Sequence, residues 1–149
     1  MNQTLPPRRR QPNRLLPLAL LLLASASLYA QQPISISLNG ASEVPPVSTL
    51  ASGTGQIVIL PDRSISGSVR VSGMSASMAH VHEAAPGKNG PPIITLTKSG
   101  NDGFVLPPDS KLNEAQYRSY TAGNLYINVH SSQYPDGEIR GQLPRPAAN

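Results

Sequence analysis

The sequence predicts an all-β fold, an antiparallel β-sandwich carrying one short helix. Three observations predict it: short segments that alternate apolar and polar residues, glycine and proline breakers between them, and two turn sequences that close neighbouring segments as hairpins. All 12 Gly and 12 of the 16 Pro lie beyond residue 30. There they make up about a fifth of the chain, against roughly an eighth in an average protein.

The elements follow in order. Ile34 to Leu38 (ISISL) alternates cleanly and reads as a strand. Thr54 to Leu60 and Ile65 to Val71 flank the turn sequence Pro61-Asp62-Arg63-Ser64 and read as a hairpin. Met78 to Glu83 and Ile93 to Thr97 are strands with a Gly/Pro loop between them. Asn113 to Gly123 breaks the pattern, with Asn113 as N-cap, Gln116 in the capping-box position and Gly123 where a helix stops. Leu125 to His130 and Glu138 to Leu143 close on Tyr134-Pro135-Asp136-Gly137 as a second hairpin.

The N-terminus has a separate purpose. Met1 to Arg14 is basic, Leu15 to Ala24 is almost wholly apolar and Ser25 to Ala30 is rich in small residues, the order of a secretory signal peptide. The apolar core of about ten residues is half of what a bilayer span needs, so no permanent membrane span is expected. Cleavage is expected after Ala30, or after Ala26 as the alternative. The expected organisation is a signal peptide over 1–30, one domain over 31–143 and a flexible tail over 144–149, with a periplasmic, cell-envelope or secreted destination. The only Asn-x-Ser/Thr sequon, at Asn2, lies inside the removed segment.

Composition excludes several function classes. With no Cys there is no disulfide framework, thiolate metal site or cysteine nucleophile. The net charge of +4 comes from Arg8, Arg9, Arg10 and Arg14; beyond residue 30 the charges balance. Nucleic-acid binding therefore lacks a basic patch to follow phosphates. No P-loop, dinucleotide fingerprint, nucleophile elbow or EF-hand loop occurs.

The 3 His of the chain fall in two places, Ala79-His80-Val81-His82-Glu83 and Tyr126-Ile127-Asn128-Val129-His130. Residues two apart on a strand share a face, so His80 and His82 project together, and Tyr126, Asn128 and His130 do the same opposite Leu125, Ile127 and Val129. Three converging imidazoles suit copper or zinc at roughly 2 Å. Nitrogens within about 4 Å of one another would favour a site, and separations beyond about 8 Å would exclude one without rearrangement. The ordinary alternative is polar surface. Met78 shares the face of His80 and His82, and it and Met74 are thioether candidates for cuprous copper, although packing is the ordinary use of such residues. Glu83 points away from His82 and reads as surface. Arg140 stands with Glu138 and Gln142 on the polar face of the last strand, able to steer an anion or to form an ion pair across strands. A triad of Ser131, His130 and Asp136 can be written but has no supporting motif.

Several blocks resemble the CHRD domain. They are Leu38 to Val47 (LNGASEVPPV), Gly53-Thr54-Gly55, Ala79 to His82 with Gly87, Asn89, Gly90 and Pro91, Ala122 to His130 (AGNLYINVH), and Gly137 to Leu143 (GEIRGQL). The resemblance covers about Ile34 to Leu143. It implies an exported module, named after animal chordin, whose bacterial members have no agreed activity. A more distant similarity links His80-Val81-His82-Glu83 and Asn128-Val129-His130 to the copper-ligand strands of copper/zinc superoxide dismutases. Arg140 then falls where that family's guiding arginine would be. This similarity implies an immunoglobulin-like sandwich. The chain has no histidine for that family's bridging position and no zinc-site ligands in Ala84 to Pro92.

The expected function is a non-enzymatic binding module that holds copper, with zinc less favoured, through His80, His82 and His130. One alternative is a superoxide-dismutase-like copper enzyme, with Arg140 as its guiding residue. The other is an adhesion or envelope domain that binds an extracellular protein or glycan through the loops Glu43 to Val47 and Ala84 to Pro92.

Overall fold

The structure, a computed structural model, describes residues 32–147. The expected signal peptide and the last two residues of the expected tail lie outside them.

Nine strands and one α-helix form: β1 (Ile34–Asn39), β2 (Ser52–Ile59), β3 (Ile65–Ser72), β4 (Ala76–Glu83), β5 (Pro92–Thr95), β6 (Thr97–Ser99), β7 (Gly103–Val105), α1 (Glu114–Thr121), β8 (Leu125–Ser131) and β9 (Ile139–Gln142). The strands hydrogen-bond in the order β5-β4-β8-β9-β1-β2-β3-β7-β6, and every pairing is antiparallel. The two ends of this order are consecutive in the chain. Leu96, between β5 and β6, donates its N–H to the Ala79 carbonyl at 2.9 Å, so the sheet curls until it nearly closes. The expected all-β antiparallel architecture with one short helix is therefore present, its layers being parts of one curled sheet.

Alternation decides what fills the interior. Ile36 and Leu38 of β1, Ile57 and Ile59 of β2, Val69 and Val71 of β3, and Ala79 and Val81 of β4 are buried in one cluster with Leu125, Ile127 and Val129 of β8. Each large side chain removed from water there contributes about 1.5–3 kcal/mol. The turn after β2 closes through Arg63 N–H to Leu60 O at 2.8 Å and Leu60 N–H to Ser64 O at 3.0 Å, with Arg63 at φ 74°. The helix begins as expected. Asn113 accepts from the Gln116 N–H and Gln116 returns a bond to the Asn113 N–H, each at 2.8 Å, and Gly123 ends it at φ 79°.

The β6–β7 hairpin is a departure from expectation, since residue type and spacing predict no strand in Ser99 to Val105. Its strands are three residues long and β6 is exposed throughout, so neither carries an alternating signal. β4 also starts two residues earlier than expected, at Ala76, with an irregularity in its pairing to β8 between Ala76 and Met78.

β8 positions the site. It lies between β4 and β9, and all seven of its residues are buried. The face carrying Tyr126, Asn128 and His130 is thus covered as completely as the core face.

Candidate metal centre

The register of β4 on β8 brings the histidines together. Met78 stands opposite His130, His80 opposite Asn128 and His82 opposite Tyr126. One ring nitrogen from each of His80, His82 and His130 lies within 4.8 Å of the others. Because His130 Nδ1 faces a carbonyl, His80 Nδ1–H donates to His130 Nε2 at 2.9 Å, and holding an ion there requires His80 to carry its proton on Nε2 instead. All three residues of the sequence-predicted site come together, with separations of up to 4.8 Å that fall between the roughly 4 Å favouring a site and the roughly 8 Å excluding one. His82 and His130 are buried, and His80 is half-buried at the open side of the cluster.

Backbone carbonyls orient two of the rings. His82 Nδ1 donates to Gly90 O and His130 Nδ1 donates to Pro135 O, each at 2.8 Å. A neutral imidazole that donates through Nδ1 presents its lone pair at Nε2. His82 Nε2 is buried without a partner, as is Asn128 Oδ1. Two buried acceptors without donors cost about 1–3 kcal/mol each; a cation at His82 Nε2 relieves this, as does a proton there that donates to Asn128 Oδ1. Histidine ligands held by a hydrogen bond at their other nitrogen are the common second layer of metal sites. Burial, then the neighbouring His130 and His82, push the His80 pKa below its ordinary value. Burial also lowers that of His82, against a raising effect of the bond to Gly90. Both shifts favour the neutral, ligating form.

A stack continues from His82 along the sheet. The Tyr126 ring lies parallel to His82, centroids 4.8 Å apart and 14° between planes, and the Arg140 guanidinium sits 3.5 Å from the centre of the same ring. Tyr126 Oη also accepts from the Gly90 N–H at 3.1 Å. Arg140 is only 2% exposed and donates to Asn89 Oδ1 at 3.3 Å and Gln142 Oε1 at 3.0 Å. The expected ion pair of Arg140 across strands does not form. Glu138 instead accepts from Thr49 Oγ1 at 2.7 Å, and the one ion pair among the described residues is Arg118–Glu114 on the helix.

The two loops considered as binding surfaces serve partly as a roof over this face. Asn89 Nδ2 donates to Val44 O at 2.6 Å, tying them together. Glu43 is buried, and its Oε1 has no partner. Burial raises its pKa from 4.5 to about 7, against the lowering field of Arg140. Gly137, at φ 134°, lies beneath it. A Cβ there would stand 2.6 Å from Glu43 Oε1 and 2.7 Å from Asn128 Nδ2.

The remaining candidates separate from the site. Glu83 accepts from Ser119 Oγ and so anchors the helix rather than standing free at the surface. Ser131 Oγ accepts from the Tyr134 N–H and His130 Nδ1 faces Pro135 O, so Ser131, His130 and Asp136 do not make a relay. Met74 packs partly against the core, whereas Met78 is 47% exposed. Tyr126 and Asn128 were legible as face-mates of His130. The carbonyls of Gly90 and Pro135, and the burial of Glu43, had no signal in residue type.

The CHRD domain model matches residues 34–143. The chain belongs to the CHRD domain family. Both histidine strands and Arg140 fall inside that span, so the candidate centre is built within the CHRD domain itself. A search of curated proteins and one of solved structures returned no match. Among the described residues no helix is long and apolar enough to cross a membrane.

Proposed function

We propose that this CHRD domain is an exported binding module that holds a single copper ion through His80 Nδ1, His82 Nε2 and His130 Nε2. The observation that carries the reading is the convergence of these imidazoles within 4.8 Å around a buried, unpartnered His82 Nε2. Three nitrogens bound to one ion at roughly 2 Å lie about 3.5 Å apart, so small ring rotations close the set. Imidazole donors without a carboxylate suit copper and zinc rather than calcium or magnesium. The basic and apolar leader read from residues 1–30 supports export, so the metal would be acquired outside the cytoplasm.

The reading is of a binding module rather than a dismutase. The 3 His of the chain are all used by the one site, leaving none to bridge to a second metal. Arg140, which would guide an anion, is committed to Tyr126, Asn89 and Gln142.

The test is titration of the metal-free protein with cuprous, cupric and zinc ions beside the double variant His80→Ala/His130→Ala. One-to-one copper binding that the double variant loses supports the reading. Equal, weak binding by both proteins overturns it and directs the search to protein or glycan partners.

A further inference from the structure

Met78 has no packing explanation. Among the described residues only Leu50, Leu60 and Met78 are large hydrophobic side chains left exposed, and Met78, at 47%, is the one of these inside a strand. It shares the face of His80 and His82 by alternation, two residues from His80, and stands directly opposite His130 in the β4–β8 register. It therefore borders both members of the closest nitrogen pair, His80 Nδ1 and His130 Nε2, 2.9 Å apart.

The local backbone holds Met78 there. The pairing shift between Ala76 and Met78 places Ala76 in the core and leaves Ser77 and Met78 both outside it, and Ser77 Oγ donates to His130 O at 3.1 Å. Irregularities of this kind re-aim a side chain next to a site. Opposite residues in an antiparallel pair have Cβ atoms about 4.5–5.5 Å apart. Rotation about the first two side-chain bonds swings a methionine sulfur across much of that gap toward an ion held by its neighbours.

The cluster is also open on this side. His82 and His130 are buried against their carbonyl partners, while His80 is half-buried, so the side bordered by His80 and Met78 is where a fourth ligand can enter. A thioether is a soft donor that favours cuprous copper and adds little for zinc. We infer that Met78 Sδ is the fourth ligand of the site and that the ion it selects is cuprous. This rests on the copper reading above and adds the ligand that decides oxidation state.

The test compares wild type, Met78→Leu and His80→Ala/His130→Ala by anaerobic competition with a chromophoric cuprous chelator, by zinc titration and by X-ray absorption of the copper-loaded protein. Because Met78 is exposed, the leucine variant is expected to melt with the metal-free wild type. The expected result is a loss of cuprous affinity of about tenfold or more in Met78→Leu, zinc affinity within about twofold, and a copper–sulfur shell present only in wild type. Unchanged cuprous affinity in Met78→Leu, with no sulfur shell in wild type and binding lost in the double histidine variant, would overturn the role of Met78 and leave the copper reading standing. A wild type that takes up no cuprous ion overturns both.

Discussion

His130 Nε2 lies 2.9 Å from His80 Nδ1 because Pro135, in the turn after β8, takes the other nitrogen of His130 through its carbonyl. The turn thus sets the direction of a ligand that the strand only places. The same division holds for His82, whose ring is set by Gly90 O in the loop after β4. Strand register supplies proximity and loop carbonyls supply orientation.

Metal binding is therefore expected to stabilise the fold. An ion at 100 times its dissociation constant adds about 2.7 kcal/mol, and for a domain of this size each kcal/mol moves the melting temperature by roughly 4 °C. Scanning calorimetry with and without cuprous ion should show this upward shift in wild type. In His130→Ala the shift should vanish.

Glu43 predicts a pH dependence of the metal-free protein. Its pKa is about 7 in the folded state against 4.5 ordinarily, so the folded state holds the proton more tightly. The stability this contributes is complete below pH 4.5 and is lost as pH rises through 7. Glu43→Gln cannot ionise, so it should gain on wild type by up to about 3 kcal/mol between pH 4.5 and pH 8. Urea unfolding of both proteins across that range, in the presence of a chelator, measures the difference. Parallel curves would show that Glu43 ionises freely in the folded state.

Gly137 is expected to tolerate no side chain. Its positive φ and the contacts of 2.6 Å and 2.7 Å that a Cβ would make with Glu43 and Asn128 both oppose alanine. Gly137→Ala should cost about 1–3 kcal/mol, read as a lower urea midpoint. It should also weaken metal binding, since Asn128 would be displaced beneath the histidines. A variant as stable as wild type would show that the turn relaxes freely.

Tyr126 separates ring from hydroxyl. Tyr126→Phe keeps the stack on His82 and the cation contact with Arg140 but leaves the Gly90 N–H without its 3.1 Å partner, a loss of about 1 kcal/mol. Tyr126→Leu also removes the ring between a guanidinium and an imidazole, and should cost about 2 kcal/mol or more. Thermal melts of the two variants should fall in that order, and copper affinity should fall further in the leucine variant.

Residue type and spacing alone carried much of this molecule. Alternation in Ile34 to Leu38 and Leu125 to His130, the turns at Pro61 and Tyr134, and the Asn113–Gln116 capping box are local signals, and each produced its element. The three site histidines were legible for the same reason: alternation assigns a face before any partner strand is known. The β6–β7 hairpin was not legible, because three-residue strands such as Thr97–Ser99 are held by partners and carry no period of their own.

What folding added is proximity between parts remote in sequence. His80 meets His130 only because β4 pairs with β8 in one register, and a slip of one residue would turn the imidazoles to the opposite face. The carbonyls of Gly90 and Pro135 exist at every residue and become ligand-orienting only where a loop presses them against a ring. Arg140, legible as a polar-face cation, became a buried stack on Tyr126 because two loops tied by Asn89 and Val44 roof that face. Local chemistry chose the donors, and long-range pairing chose their distances.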